Sequence, residues 1–236
     1  MKAVLLAAGL GSRLRPLTDA TPKCLVPIGG RALLDIWLDA LRDLGVEEVL
    51  LNTHHLADQV AAHVAQRVGD PPVRLLHEQT LRGSAGTLRA ARGLLETEPW
   101  FLALNADNLT DYDLADLVAG HTAGETGCLA TLTAFHAERP SACGILDIDG
   151  SGRLVGFEEK PARPRCDLAN AGMYAFSSEV LDLLDRPEPT DVGAHLLPRL
   201  VGRARVVGIG GAYLRDIGTP EALAEARATW REQAPR

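Results

Sequence analysis

The stretch over residues 2–27, KAVLLAAGLGSRLRPLTDATPKCLVP, constrains the fold more than any other part of the chain. Residues 3–8 form a wholly apolar run, short enough for a buried parallel strand. The run breaks into Gly9-Leu10-Gly11-Ser12, where small residues let backbone N–H groups converge on an anion. Arg13 and Arg15 follow, then Pro16, and Lys23 stands behind a second proline, Pro22. A strand feeding a glycine turn and then three fixed cations suits a triphosphate; a loop of solvated charges is the plainer alternative. Two commoner phosphate loops do not fit. The dinucleotide fingerprint wants a third glycine where Leu14 stands and a helix starting at once, whereas Pro16, Thr18 and Asp19 prolong the loop. The P-loop needs Gly-Lys-Ser/Thr, and no lysine here follows a glycine.

Beyond this stretch the chain alternates between strand and helix. Residues 33–44 carry apolar side chains at helical spacing and stop at Gly45, a natural C-cap. Residues 48–51 read as a strand, 56–68 as a helix, 73–76 as a short strand and 85–95 as a helix. Residues 100–104 form an apolar strand ending at Asn105-Ala106-Asp107. This order predicts an α/β fold with a doubly wound parallel sheet. Ligands in such sheets sit at the carboxyl ends of strands, so the glycine loop and Asp107 are expected to share a crevice. The second half changes character: 128–134, 144–148, 154–157 and 169–176 read as strands, with Asp149-Gly150-Ser151-Gly152 as a hairpin turn. Helices return near 178–184, 192–201 and 220–230. No hexapeptide repeat occurs, so no left-handed β-helix is expected.

At 236 residues, 46% hydrophobic and 23% charged, the chain can bury one ample core, and a single domain over 1–236 is the expectation; length alone also allows two. The net charge of −7 argues against a nucleic-acid surface, so any anion site is a local exception. Cys24, Cys128, Cys143 and Cys166 lack metal spacing, and no signal peptide or membrane span is evident; reduced thiols in a cytoplasm are expected. The chain has only three lysines, Lys2, Lys23 and Lys160, against twenty-one arginines. Where arginine is the default cation, a lysine inside a motif points to a need for a compact ammonium. Lys2 reads equally well as a solvated charge leading the strand.

The motifs Gly9-Leu10-Gly11-Ser12-Arg13-Leu14-Arg15-Pro16-Leu17-Thr18 and Pro22-Lys23-Cys24-Leu25-Val26-Pro27 resemble the signature of the sugar-1-phosphate nucleotidylyltransferases. Five later stretches match that family in its order: Leu81-Arg82-Gly83-Ser84-Ala85-Gly86-Thr87, Asn105-Ala106-Asp107, Phe157-Glu158-Glu159-Lys160-Pro161, Asn170-Ala171-Gly172-Met173-Tyr174, and Leu214-Arg215-Asp216-Ile217-Gly218-Thr219-Pro220. Taken singly, each reads as an ordinary helix start, turn or edge charge; Ser84 as a helix cap and Asp107 as a turn aspartate are the plain versions. Asn108, Asp111 and Asp113 compete with Asp107 for a metal, and Ala106 departs from the family's usual glycine.

The resemblance, which reaches about Glu221, implies a Rossmann-like, doubly wound, mixed and mostly parallel sheet, the nucleotide-diphospho-sugar transferase fold. Within it 1–125 is a nucleotide-binding half and 126–236 a sugar-phosphate-binding half. It assigns catalytic roles to Arg13, Lys23 and Lys160. Nucleotide contacts fall to Leu6, Ala8, Gly9, Gly11, Ser12, Arg13, Gln79, Gly83 and Ser84. Sugar-phosphate contacts fall to Asn105, Glu159, Lys160, Asn170 and Gly172, and Mg²⁺ to Asp107 and Asp216.

The implied reaction is attack of a sugar 1-phosphate on the α-phosphorus of a nucleoside triphosphate, with pyrophosphate leaving in line. Two anions meet there, so neutralising charge and aligning oxygens outweigh moving protons. Arg13 would steady the pyrophosphate, Lys23 would sit between nucleotide and sugar phosphate, and Lys160 would hold the nucleophile. His54 and His55 are not needed as bases and are expected to line a strand end.

The short chain and the Gly83–Thr87 loop resemble guanylyltransferases acting on mannose or heptose 1-phosphates. The Leu6-Ala7-Ala8-Gly9 opening is also at home in uridylyltransferases, including those for N-acetylmuramate 1-phosphate, and thymidylyl transfer stays open. Expected partners are the two substrates, with no nucleic acid or membrane, in a monomer or homodimer. A non-catalytic nucleotide-sugar sensor is the alternative of another class, and loss of a motif aspartate or lysine would favour it; none is lost. A nicotinamide-dependent dehydrogenase is disfavoured by Leu14 and the long loop.

Overall fold

The computed structural model describes residues 1–69, 71–124, 127–185 and 190–230. The fold is α/β, a mixed, mostly parallel sheet with helices, as the strand–helix alternation predicts. The chain forms two compact units, and neither is continuous: one comprises Met1–Leu81, Leu104–Tyr112 and Ala212–Arg236, the other Arg82–Ala103 and Asp113–Gly211.

In the first unit the strand Lys2–Leu6 pairs in parallel with Glu48–Thr53, which pairs in parallel with Val73–His77. Ala3, Val4, Leu5, Val49 and Leu51 are fully buried, which is why the centres of the first two strands read as apolar runs. The helix Leu33–Asp43 turns Leu33, Leu34, Trp37, Leu38 and Leu41 inward, one continuous stripe at helical spacing. It ends where expected, with Gly45 N–H donating to Arg42 O (2.9 Å) and Val46 N–H to Leu41 O (3.0 Å), the paired bonds of a Schellman close. The next helix, Ala57–Ala65, is shorter than the 56–68 expected: it starts after Leu56, which sits in the left-handed region at φ 53°, and it ends at Ala65 with Gln66 as its C-cap. The strands Asn108–Thr110 and Leu214–Asp216 pair antiparallel, so the Asp107 and Asp216 segments meet although they are far apart in sequence.

Two expectations for this unit are corrected. Residues 17–20, expected as loop, form the one-turn helix Leu17–Ala20. The segments 27–28 and 31–32, given no structure from sequence, pair as Pro27–Ile28 with Arg31–Ala32.

In the second unit Leu168–Ser177 pairs antiparallel with Ala130–His136 and with Gly144–Ile148. Gly144–Ile148 pairs antiparallel with Leu154–Glu159. The strand expected at 128–134 lies at Ala130–His136, because Leu129 donates to Arg203 O at its entry and pairing starts one residue on. Ala204–Gly208 adds a parallel strand, and Leu114–Thr122 is a helix capped by Asp113, whose carboxylate accepts from Ala115 N–H; neither element is expected from the sequence pattern. The expected helix 85–95 is broken at Ala91 into Ser84–Ala90 and Arg92–Leu95. The region expected as helix 192–201 is a π-turn, Val192–Leu196, followed by a 3₁₀ turn, Leu197–Leu200. Among the described residues there is no coil of a β-helix and no helix long and apolar enough to cross a membrane.

Candidate active site

In the first unit, Lys23 is the centre of the charged groups. It begins the 3₁₀ turn Lys23–Leu25 behind Pro22, and its side chain is only 8% exposed. Its Nζ lies 2.8 Å from Asp107 Oδ2 and 3.1 Å from Asp216 Oδ1. Asp107 follows the buried strand Trp100–Asn105, and Asp216 closes Leu214–Asp216. The two segments are stitched together by Ile217 N–H donating to Asp107 O at 3.2 Å. Asp216 is further fixed by Gly218 N–H, 2.8 Å from Oδ1, and faces the Arg13 guanidinium, whose Nη2 lies 3.6 Å from Oδ2. A Cβ on Gly218 would stand 2.7 Å from that Nη2 and 2.8 Å from Asp216 Oδ1, so glycine there leaves room for the guanidinium. Arg13, Lys23, Asp107 and Asp216, four residues chosen from sequence, are thus brought together. Neighbouring Cys24 takes no part as a charge: burial pushes its thiol up to about 12, against a smaller opposing effect of a backbone hydrogen bond.

The competing residues have other work. Asp111 accepts from Tyr213 N–H at 2.6 Å, Asp113 caps its helix, and the side chain of Asn108 is buried. His54 and His55 line the strand end as expected: His54 Nδ1 lies 2.7 Å from Glu78 O, and His55 Nε2 2.7 Å from Thr18 O.

Asp107 and Asp216 also fit a magnesium ion. Among the described residues no three His, Cys, Asp or Glu side chains cluster, so the protein offers two carboxylates only. Both are partly open, at 41% and 50% exposure. Such a pair suits Mg²⁺, which commonly takes one or two carboxylates and completes its octahedron with water and substrate phosphate.

The glycine loop lies on the same unit. Gly9, Ser12 and Arg13 are exposed, Gly11 half-buried, and Gly11 O accepts from Thr18 Oγ1 at 2.7 Å. Leu6 O accepts from Ala106 N–H at 3.2 Å, which ties the loop's strand to the Asp107 turn. Asn105 is half-buried and Gln79 exposed. The N–H groups of Ala7 and Ala8 are turned to Asn52, whose Oδ1 accepts both, at 2.6 and 3.2 Å. Asn52 Nδ2 in turn donates to Glu78 Oε1 at 3.0 Å. Only one amide orientation satisfies both sides, oxygen to the N–H groups and nitrogen to the carboxylate. Asn52 and Glu78 are 5% and 1% exposed, and sequence reasoning missed both. A signal was present: Asn52 is a buried polar residue that follows the apolar run Val49–Leu51, and a buried polar group asks for a partner.

In the second unit, Lys160 follows the strand Leu154–Glu159 with φ 46°, a left-handed backbone rare for lysine. Its N–H donates to Cys143 O at 3.1 Å, and its exposed Nζ lies 3.3 Å from Glu159 Oε1. Asn170 and Gly172 share a kink in Leu168–Ser177, where the pairing register shifts and Asn170 Oδ1 accepts from Gly172 N–H at 3.1 Å. Gly83 has φ 72° and ψ 165°, which only glycine holds cheaply, and a Cβ there would meet Thr190 O at 2.1 Å. Gly83 rather than Ser84 is the N-cap. The Ser84 hydroxyl instead reaches Asp191 Oδ2 at 3.2 Å and accepts from Val192 N–H at 2.8 Å. Ala85 N–H donates to Thr190 O at 3.1 Å, so this helix start is occupied by the 190–192 segment.

A strand-end pair of carboxylates, with an ammonium between them and a guanidinium beside them, gathers charged groups of the kind that phosphate and a divalent ion would engage. The family model "Nucleotidyl transferase" matches residues 2–233, and the chain belongs to that family. A mannose-1-phosphate guanylyltransferase catalytic subunit beta from Dictyostelium discoideum is 32% identical over 94% of this chain and 62% of its own length. A UTP–glucose-1-phosphate uridylyltransferase from Synechocystis is 31% identical over 85% of this chain and 55% of its own. The chain therefore spans about three-fifths of the length of the curated relatives it matches. Among solved structures, HddC from Yersinia pseudotuberculosis, complexed with GMP-PN, superimposes with TM-score 0.79 at 24% identity, covering 98% of this chain and 99% of that one. A Bacillus anthracis structure reaches TM-score 0.84 at 23% identity over 97% of this chain. At those identities the superpositions speak for the fold.

Proposed function

We propose that the protein transfers a nucleotidyl group from a nucleoside triphosphate to a sugar 1-phosphate, releasing pyrophosphate, and that it needs Mg²⁺. The observation that carries this is the convergence of Lys23 and Arg13 on Asp107 and Asp216. Both substrates are anions, and a centre that attracts them while fixing their oxygens lowers the barrier by charge stabilisation and alignment. Arg13, exposed beside Asp216, is free to swing to the departing pyrophosphate. Lys23, on its anchored turn, is held to a small arc and meets the phosphate oxygens nearest the reacting centre. Lys160, on its strained backbone in the second unit, presents an exposed ammonium to the sugar phosphate, with Glu159 beside it for sugar hydroxyls. A bound Mg²⁺ supplies neutralisation of phosphate oxygens at Asp107 and Asp216.

For the base and sugar, the guanylyltransferase relative supports guanylyl transfer to a mannose- or heptose-type 1-phosphate, and the Synechocystis relative supports uridylyl transfer as the second reading. Four cysteines that are all free agree with work in a reducing cytoplasm. The test is a panel of triphosphates against a panel of sugar 1-phosphates with Mg²⁺, followed by pyrophosphate release. One productive pair is expected, and Asp107→Asn is expected to lose most of its turnover. Absence of turnover with every pair, from protein shown to be folded, would overturn the reading and favour a nucleotide-sugar sensor.

A further inference from the structure

We propose that Lys23 guards the carboxylate pair against free metal, so that the protein takes up its divalent ion only together with the triphosphate. This rests on the reading of Asp107 and Asp216 as metal ligands. Lys23 Nζ engages one oxygen of each aspartate, at 2.8 and 3.1 Å, so each carboxylate already carries a cation on one of its two oxygens. The second oxygen of Asp216 faces Arg13 at 3.6 Å. Two carboxylates are thus matched by two cations, and the centre is neutral before any ligand arrives.

A free divalent ion entering there gains no unmatched charge. It must also displace an ammonium on a buried stem or accept a like charge a few ångströms away. The Lys23 backbone cannot retreat easily: Val26 N–H donates to Lys23 O at 3.2 Å, Leu25 N–H to Pro22 O at 2.8 Å, and Cys24 next door is 3% exposed. A triphosphate changes the balance. It brings about four negative charges, offers the ammonium new oxygens within reach of a flexible stem, and frees the aspartates for the metal. A guanidinium in this seat would hold the pair as a broad fork and could not hand over one oxygen at a time. That gives a physical reason for a lysine here in a chain that otherwise uses arginine twenty-one times.

The experiment uses Mn²⁺ alone as the probe, without nucleotide or sugar, and reads free Mn²⁺ by electron paramagnetic resonance as protein is added. Wild type is expected to bind weakly. Lys23→Met, which keeps an apolar stem of similar length and removes the charge, should bind at least about tenfold tighter, as expected when a like charge is removed beside a divalent ion. The gain should vanish in Lys23→Met combined with Asp107→Asn. Equal Mn²⁺ affinity in wild type and folded Lys23→Met, or tight Mn²⁺ binding by wild type, overturns the proposal. A second measurement leaves Lys23 and both aspartates unchanged. With lysine labelled at Cε there are only three resonances, and Lys2→Arg and Lys160→Arg assign two of them. The Lys23 signal should ignore Mg²⁺ alone and move when Mg²⁺ and a non-hydrolysable triphosphate are added together; movement with Mg²⁺ alone overturns it. Neither readout depends on which base or sugar is used, so failure here is distinct from absence of transferase activity.

Discussion

Replacing Asn52 tests whether the glycine loop is held from behind. In Asn52→Ala, the N–H groups of Ala7 and Ala8 lose their common acceptor. Ala8 is 6% exposed, so its orphaned donor costs about 1–3 kcal/mol; Ala7 is half-buried, and water recovers part of its cost. Glu78, 1% exposed, loses one donor as well. The expected loss of stability is about 2–5 kcal/mol, a large share of the roughly 5–15 kcal/mol that holds a typical domain. Turnover should fall further than stability accounts for, because a shift of about an ångström in a phosphate loop can cost on the order of a hundredfold. Urea unfolding followed by circular dichroism reads the first effect, and pyrophosphate release at saturating substrates the second.

Asn52→Asp sharpens the test. One carboxylate oxygen still serves the two N–H groups, but the other now faces Glu78 Oε1, where Asn52 Nδ2 lay at 3.0 Å. Two carboxyls sharing a buried site cannot both ionise, so one of them has its folded pKa raised above the unfolded value. Stability carried by such a group is present below the unfolded carboxyl pKa and is lost as pH rises through the raised folded value. Asn52→Asp should therefore approach wild type near pH 4–5 and fall away from it toward pH 8. An Asn52→Ala variant within about 1 kcal/mol of wild type and within threefold in turnover would refute the reasoning, as would a pH-independent gap for Asn52→Asp.

Three further outcomes are expected. Lys23→Arg keeps the charge but places a planar fork between Asp107 and Asp216, and kcat at saturating substrates should drop by on the order of a hundredfold; activity within about twofold would put Lys23 outside the reaction centre. Gly83→Ala forces a side chain onto Thr190 O in a backbone region reserved for glycine, and should cost about 3 kcal/mol or more in urea unfolding; a loss below about 1 kcal/mol would show that the 190–192 segment moves aside freely. His121 is packed on Trp100 with ring centroids 5.4 Å apart, and burial lowers its pKa. A histidine with a depressed folded pKa contributes stability fully present above its unfolded value near 6.5 and lost as pH falls below it. The melting temperature should thus fall between pH 7 and pH 5, and less so in His121→Leu; parallel curves would contradict this.

Much of this centre was readable from residue types because the chemistry is carried by charged side chains at strand ends. Arg13, Lys23 and Asp107 each follow an apolar run or a glycine–proline punctuation that places them, whereas Asp216 is picked out only by the family resemblance; in the fold Lys23 lies at hydrogen-bonding distance from both aspartates, and Arg13 lies 3.6 Å from Asp216. The strands Lys2–Leu6, Glu48–Thr53 and Trp100–Asn105 were legible for a related reason, since a strand buried on both faces announces itself without needing a partner. Asn52 and Glu78 were hidden because their meaning is a pairing across 26 residues that no local pattern encodes. Ala204–Gly208 was missed since Arg203 and Arg205 interrupt its apolar residues, and only the neighbouring strand Ala130–His136 makes it a strand. Ser84 looked like a helix cap by type, yet Gly83 takes that place and the serine hydroxyl is spent on the 190–192 segment.

The interleaving of the two units sets a timetable for biosynthesis. Lys23 leaves the ribosome early, Asp107 follows, and Asp216 arrives only with the third instalment of the first unit, about a hundred residues and on the order of ten seconds later. Until then the strand Asn108–Thr110 lacks its antiparallel partner Leu214–Asp216, and Lys23 has one aspartate instead of two. A nascent chain halted anywhere before Leu214–Asp216 therefore carries an incomplete centre, however well its earlier strands have formed.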